Sequence, residues 1–156
     1  MTHCLIAFGG NLSNPKFTFQ IALSSLSERG FDLTKKSGLW RSPAWPQGSG
    51  QPDYLNAVVS GDFNQGPEAL LALLHQIEAE QGRVRSVPNA ARTLDLDLLV
   101  FGEVVSDTET LKLPHPRMLE RTFVLLPASE IEMRWLEYLR LFSEEQIRST
   151  RYVGPW

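Results

Sequence analysis

Short apolar runs separated by turn-forming residues mark the strands of this chain. Residues 3–8 form a continuous apolar run that predicts a buried strand, and the following Gly9–Gly10 pair predicts a turn that ends it. Residues 31–41, 54–63 and 94–101 predict three further strands. A shorter extended piece is expected within residues 111–116.

Helical periodicity is found in the two longest gaps between these runs, residues 9–30 and 64–93. Ser13-Asn14-Pro15 predicts an N-cap followed by proline in the first turn, and the apolar stripe Phe17, Ile21, Leu23 and Leu26 then predicts a helix up to Gly30. A second amphipathic helix is predicted from Gly66 to about Gln81. Towards the end of the chain, a helix is predicted from residue 118 with an interruption at Pro127, and residues 135–147 are predicted to be helical.

The order of these elements indicates the fold class. Strand, helix, strand, strand, helix, strand is the order of the split βαβ unit in ferredoxin-like α+β domains. We therefore expect an antiparallel sheet with helices packed on it, a three-layer α-β-α sandwich. Neither repeats nor a linker interrupts the pattern, so residues 1–156 are predicted to form one domain.

Composition and charge narrow the function classes. The chain has 156 residues, of which 42% are apolar and 21% charged, as in ordinary soluble domains. The formal net charge of −3 disfavours general nucleic-acid binding. Cys4 is the one cysteine, so no intramolecular disulfide can form, and no Cys/His cluster suggests zinc. We find no signal peptide and no membrane span, and we expect a cytoplasmic protein without a membrane partner.

The triplet Asp95-Leu96-Asp97 is the most informative short pattern. On a strand its two carboxylates point to one face, where they repel each other unless a cation lies between them. Mg²⁺ is commonly held by one or two carboxylates together with substrate phosphates. The alternative is a pair of solvent-facing acids on an edge strand, which the buried run after the triplet disfavours.

Several arginines lie close to the acid pair along the chain. Guanidinium groups suit phosphate oxygens, and acids with arginines form the polarity pattern of a phosphoryl-transfer site. No glycine-rich phosphate loop of the G-x-x-x-x-G-K-[ST] type is present. The alternative for each arginine is a solvated basic loop. The candidate cations are Arg83, Arg85 and Arg92 upstream, and Arg117 and Arg121 beside His115 downstream.

Six segments in fixed order resemble one enzyme family. They are residues 9–12, 51–57, 82–85, 92–97, 113–116 and 121–123. Their order resembles the 6-hydroxymethyl-7,8-dihydropterin pyrophosphokinases from about residue 4 to residue 131, with Arg-Thr-Leu-Asp-Leu-Asp as the most specific segment. The resemblance implies a monomeric, ferredoxin-like enzyme of folate biosynthesis that transfers the diphosphate of ATP to the hydroxymethyl group of the pterin and releases AMP.

The resemblance also implies roles for individual residues. Asp95 and Asp97 match acids that hold two Mg²⁺ ions on the ATP phosphates, and Arg83 and Arg92 match mobile-loop arginines that assist the transfer. The pterin-binding positions implied are Ser42, Pro43, Trp45, Tyr54, Asn56 and Phe123, of which Tyr54 and Phe123 would sandwich the ring. The ATP-binding positions implied are His75, Glu78, Arg85, Leu98, His115 and Arg121.

This chain departs from the family pattern at several places. Gly10 stands where the common form has serine, and Thr110 stands where some members have an ATP-binding arginine. The 86–91 loop lacks the tryptophan that would seal the closed site. The match fades after residue 131, so no function is predicted for the C-terminal segment.

Three other functions use some of the same features. A pterin- or nucleotide-binding protein without catalysis would keep the pocket, although the intact acids and arginines favour an enzyme. A ferredoxin-like RNA-binding module would require a basic face with exposed aromatic residues. A metal-dependent phosphatase would use the same acids and arginines but would release inorganic phosphate rather than AMP.

Overall fold

The computed structural model describes residues 1–12, 14–44, 48–82 and 94–156. In these ranges the elements follow one another as β1 (Thr2–Gly10), α1 (Pro15–Glu28), β2 (Phe31–Lys36), β3 (Leu39–Ser42), β4 (Tyr54–Phe63), α2 (Pro67–Glu80), β5 (Asp95–Phe101), β6 (Ser106–Asp107), β7 (Lys112–Leu113), a 3-10 helix (Met118–Glu120), α3 (Thr122–Ile131), a longer 3-10 helix (Met133–Leu141), α4 (Glu144–Arg148) and β8 (Arg151–Gly154).

The main sheet has the strand order β5-β1-β4-β3-β8, and β2 also pairs with β4. Every pairing in it is antiparallel. Strand β1 lies between β4 and β5, which is the arrangement that the split βαβ order predicts. The small strands β6 and β7 form a separate hairpin.

Helices cover both faces of the sheet and bury two separate apolar clusters. On one face α1 and α2 pack over Ile6, Phe8 and neighbouring strand residues. On the other face α3 and the helix Met133–Leu141 pack over Leu5 and Val58. The α+β fold and its three layers are therefore confirmed. No helix in the described ranges is long and apolar enough to cross a membrane.

Two predicted strand boundaries were wrong. Gly9 and Gly10 continue β1 because they pair with Asn56 and Leu55 of β4, so neighbouring strands override the turn tendency of the glycine pair. The predicted strand 31–41 is divided into β2 and β3. At the break, Gly38 leaves space for the ring of Tyr152, which a Cβ atom would overlap.

Helix α1 has the predicted cap but a different buried face. The side chain of Asn14 accepts a hydrogen bond from the backbone N–H of Phe17, as an N-cap should. Leu26 of the predicted stripe is buried, but Phe17 is 59% exposed and Ile21 is also exposed, while Phe19, outside that stripe, is buried. Both apolar stripes satisfy helical periodicity, so the sequence alone does not determine which one faces the sheet.

The C-terminal third also differs from the prediction. Helix α3 continues through Pro127, because burial of nearly its whole surface outweighs the one backbone hydrogen bond that proline cannot donate. The helical tail consists of two pieces rather than one. Strand β8 was not predicted; it pairs with β3 at the edge of the sheet.

Candidate active site

A cavity of about 610 Å³ opens where β1, β4 and β5 meet the start of α3. Its walls come from six separate stretches of the sequence. The lining residues include Gly9, Ser42, Pro43, Tyr54, Asn56, Asp95, Asp97, Arg117, Arg121, Thr122, Phe123, Ser149 and Thr150.

The two acids of the central triplet face this cavity together. Asp95 and Asp97 lie opposite Gly9 and Ala7 of β1, while Leu96 between them is buried in the cluster on the other face. Both acids are only half-buried, so their oxygens remain accessible from the cavity. The predicted convergence of the carboxylates is confirmed.

Strand β5 is supported at the acid pair by a buried glutamate. The backbone N–H of Leu96 donates to Oε2 of Glu78 over 2.8 Å, and Glu78 is 1% exposed. Because this bond holds the residue between the two acids, it fixes the backbone that orients them. Glu78 itself does not line the cavity.

Gly9 provides space at the floor of the cavity. A Cβ atom there would lie 3.8 Å from Oδ1 of Asn56 and 4.0 Å from Cβ of Asp95. These are ordinary contacts, so a larger residue would not clash with the backbone. It would instead occupy the space between the amide and the carboxylate.

Asn56 presents an acceptor to the cavity. Its Nδ2 donates to the carbonyl of Trp40 over 3.1 Å and to the hydroxyl of Ser42 over 2.8 Å. These two bonds fix the amide orientation, since both amide hydrogens are used. Within the described residues no donor bonds Oδ1, so this buried oxygen is left for a ligand or water.

Tyr54 and Phe123 place aromatic rings on the cavity walls. Tyr54 begins β4, and Phe123 lies in the first turn of α3. The guanidinium of Arg121 lies 5.6 Å from the centre of the Phe123 ring, within the range of a cation–π contact. One side chain therefore connects the aromatic wall to the charged part of the site.

His115 is held in a defined neutral form. The backbone N–H of Arg117 donates to Nδ1 over 3.2 Å, so the ring proton lies on Nε2. Burial lowers the pKa of His115 below its usual value, the nearby guanidinium groups of Arg121 and Arg117 lower it further, and Asp95 acts in the opposite direction. At neutral pH this imidazole is an uncharged donor. The backbone N–H of His115 donates to the carbonyl of Leu99 over 2.8 Å, which ties the residue to β5.

The donor set fits a divalent cation that is completed by substrate. Two carboxylates on one face offer the oxygen ligands that Mg²⁺ prefers. The described ranges contain no cluster of three or more acidic, histidine or cysteine side chains suited to a metal. The remaining ligands would therefore be phosphate oxygens and water, as is usual for Mg²⁺ on nucleotides.

The predicted site residues fall into three groups. Eight of them line the cavity: Ser42, Pro43, Tyr54, Asn56, Asp95, Asp97, Arg121 and Phe123. His115 lies beside it, whereas His75 is exposed on α2 and Leu98 is buried in the core under that helix. The positions Trp45, Arg83, Arg85 and Arg92 lie outside the described residues.

Sequence reasoning missed the contribution of the C-terminal segment. Ser149 and Thr150 line the cavity, as does Thr122. Polar residues after a short helix resemble an ordinary surface turn, so no local signal distinguishes them. Only the pairing of β8 with β3 brings them to the site.

Comparison with known proteins agrees with this geometry. Residues 5–133 match the family described as 7,8-dihydro-6-hydroxymethylpterin-pyrophosphokinase (HPPK). The chain belongs to the HPPK family. The chain is 41% identical to a 2-amino-4-hydroxy-6-hydroxymethyldihydropteridine pyrophosphokinase of Haemophilus influenzae over 133 residues, which cover 84% of this chain and 82% of that protein. A Pseudomonas aeruginosa protein of the same name is 41% identical over 128 residues, covering 81% of this chain and 78% of its own length.

Solved structures agree on the HPPK fold. Wild-type Plasmodium falciparum HPPK-DHPS with pteroate superposes with a TM-score of 0.71 at 11% sequence identity, over 97% of this chain and 45% of that one. This chain thus spans less than half of that longer protein. At such low identity the likeness establishes the fold alone.

Proposed function

We propose that this HPPK family member transfers the diphosphate of ATP to the hydroxymethyl group of 6-hydroxymethyl-7,8-dihydropterin, with Mg²⁺, in folate biosynthesis. The observation that carries the proposal is one cavity in which a fixed amide and two aromatic rings stand beside two carboxylates. The amide and the aromatic rings suit a flat heteroaromatic alcohol, and the two carboxylates, through a bound cation, suit a polyphosphate. We also propose that it acts as a single-domain monomer in the cytoplasm.

The aromatic half of the cavity suits the pterin. Stacking on Tyr54 and Phe123 would hold the faces of the ring. The fixed Oδ1 of Asn56 would accept a hydrogen bond from an N–H on the edge of the pterin. Backbone groups around Ser42 and Pro43 lie on the same wall and would bond the rest of that edge. Trp45 is a further candidate for this wall.

The charged half suits the phosphates of ATP. Asp95 and Asp97 would hold the Mg²⁺ ions, which when bound neutralise phosphate charge and orient the diphosphate for in-line transfer. Arg121 and the neutral Nε2–H of His115 would donate to phosphate oxygens. Arg85, His75, Glu78 and Leu98 are further candidates for ATP binding.

The transfer forms one bond and breaks one. The hydroxymethyl oxygen of the pterin attacks the β-phosphorus of ATP, the bond from the β-phosphorus to the α,β-bridging oxygen breaks, and AMP leaves with that oxygen. The hydroxyl proton passes to solvent. Positioning of the two substrates and neutralisation of charge carry most of the catalysis, for which Arg83 and Arg92 are the proposed transition-state cations.

A product assay tests the proposal directly. The protein is mixed with MgCl₂, ATP and 6-hydroxymethyl-7,8-dihydropterin, and nucleotides and pterins are separated by chromatography. We expect AMP to form only when the pterin is present, in equal amount to a new pterin diphosphate. Omission of Mg²⁺ with excess chelator should stop the reaction.

Other outcomes would identify the rival functions. Release of inorganic phosphate and ADP would indicate a phosphatase. Binding of both substrates without AMP would indicate a binding protein that has lost catalysis.

A further inference from the structure

We propose that Thr150 is a positioning residue for the pterin-binding wall, acting through Thr122. This inference rests on the proposed function, and it concerns a part of the chain beyond the family match at residues 5–133. The hydroxyl oxygens of Thr122 and Thr150 lie 3.1 Å apart and form a hydrogen bond. Their residues are 9% and 4% exposed, so this bond is shielded from bulk water.

Thr122 lies between two residues that face the cavity. Arg121 precedes it and Phe123 follows it, and all three line the cavity. Thr122 is the first residue of α3, whose N-cap position makes no side-chain capping bond. The hydroxyl of Thr150 thus provides a side-chain tie at the start of this helix, where end fraying would displace the Phe123 ring.

Thr150 is itself held from two directions. Its backbone N–H donates to the carbonyl of Ile147 at the end of α4. The next residue, Arg151, begins β8 and pairs with Arg41 of β3. Further along, Trp156 packs against Phe8 in the core on the opposite face of the sheet. The backbone of Thr150 is therefore fixed on both sides, by the bond to Ile147 and by the pairing of β8 with β3. A hydroxyl held in this way can fix the position of Thr122.

The hydroxyl pair also explains why two polar side chains are buried at this point. Each buried hydroxyl needs a partner to offset its desolvation, and each provides that partner to the other. Replacing one threonine with valine removes the bond while keeping the shape nearly constant. Replacing Thr150 with serine keeps the bond.

The test compares Thr150→Val, Thr150→Ser and Thr122→Val with the wild-type enzyme. We expect Thr150→Val to raise the KM and the calorimetric Kd for 6-hydroxymethyl-7,8-dihydropterin by about fivefold, the factor that one neutral hydrogen bond supports. The kcat should change less than the KM, because ring stacking is present in both ground and transition states. Thr150→Ser should restore wild-type values, and Thr122→Val should match Thr150→Val.

Thr18→Val is the matched control. Thr18 is another buried threonine with one hydrogen bond from its hydroxyl, to the carbonyl of Asn14, but it lies on α1 and does not line the cavity. It should lower thermal stability by a comparable amount without changing the KM. Adding Thr122→Val to Thr150→Val should cause little further loss, because the shared bond is already absent.

The outcomes separate this inference from the proposed function. An unchanged KM and Kd in Thr150→Val, or the same increase in Thr18→Val, would overturn the positioning role while leaving the proposed function intact. A wild-type protein that binds the pterin but releases no AMP would contradict the proposed reaction, and the calorimetric comparison would still decide the role of Thr150. A wild-type protein that does neither would overturn both.

Discussion

At the scale of single residues, the two halves of the cavity have different physical requirements. Asp95 and Asp97 face it together because side chains two positions apart share a face of β5. Asn56 offers an acceptor because its two donor hydrogens are used elsewhere. Substitutions in the charged half should therefore affect the chemical step, and substitutions in the aromatic half should affect binding.

Asp97→Asn should abolish transfer while leaving the fold intact. The amide keeps the size of the side chain but removes the negative charge that a Mg²⁺ ligand provides. We expect AMP formation to fall by at least about a hundredfold, as for loss of one strong electrostatic contact. Pterin-dependent AMP release measures the activity, and circular dichroism checks the fold. Asp107→Asn, an exposed acid in the β6–β7 hairpin, is the matched control. Substantial turnover of Asp97→Asn at saturating Mg²⁺ would contradict the metal assignment.

Phe123→Ala should weaken pterin binding by about 1–3 kcal/mol, the scale of aromatic stacking on a nucleobase. The loss should appear in the Kd from calorimetric titration. Phe17→Ala removes an equally large ring that is 59% exposed on α1, and it should leave the Kd unchanged. An unaltered Kd in Phe123→Ala would exclude that ring from the pterin-binding wall.

At the scale of elements, most of the core fold was predictable from the sequence, and the ends of elements were not. Strand β4 matches its predicted range because turn-forming residues lie on both sides of its apolar run. Strand β1 is longer than predicted because pairing with β4 stabilises its glycines. Strand β8 depends on contacts with β3 that are distant in sequence, so local periodicity could not reveal it. The acids and aromatic residues of the site were predictable by motif, whereas Ser149 and Thr150 were not.

One contact between elements makes stability depend on pH. Glu132 follows α3, and its carboxylate accepts hydrogen bonds from His3 of β1, from Trp135 and from Arg134. Burial alone would raise the pKa of Glu132, but the three hydrogen bonds outweigh it and hold the pKa below the ordinary 4.5. The carboxylate therefore stabilises the fold above the ordinary value, and this contribution is lost as the pH falls through the lowered pKa.

Glu132→Gln should reduce the free energy of unfolding at pH 7 by about 1–3 kcal/mol, because three hydrogen-bond donors lose a charged acceptor. The difference from wild type should shrink as the pH falls below the ordinary glutamate value. Denaturant unfolding at a series of pH values measures it. Glu137→Gln, at an exposed glutamate in the helix Met133–Leu141 that follows Glu132, is the control and should show no such dependence. A difference that stays constant with pH would contradict the role of the ionised carboxylate.

At the scale of the whole molecule, one sheet separates two apolar clusters. Leu5 belongs to one cluster and Ile6 to the other, so neighbouring residues of β1 serve opposite faces. Each cluster contains a tryptophan near its edge, Trp156 on one face and Trp135 on the other. Because the same strands contribute to both clusters, unfolding of the sheet on one face would expose the cluster on the other face.

The chain should therefore unfold as one cooperative unit. Far-UV circular dichroism and tryptophan fluorescence should give the same midpoint in denaturant, as in a two-state transition. The same coincidence is expected in a Trp135→Phe variant and in a Trp156→Phe variant, each of which removes the tryptophan of one cluster. A fluorescence midpoint that differs from the circular dichroism midpoint of the same protein would contradict a single domain over residues 1–156.

The central position of β1 has a consequence for biosynthesis. Both of its hydrogen-bonding partners, β4 and β5, are made later, so the ribosome must extend the chain as far as residue 101 before β1 can pair on both sides. Both edges of this apolar strand are open until β4 is made, and one edge stays open until β5 follows. The nascent chain should therefore be a substrate for chaperones that bind extended apolar segments, and residues 4–8 are where we expect them to bind.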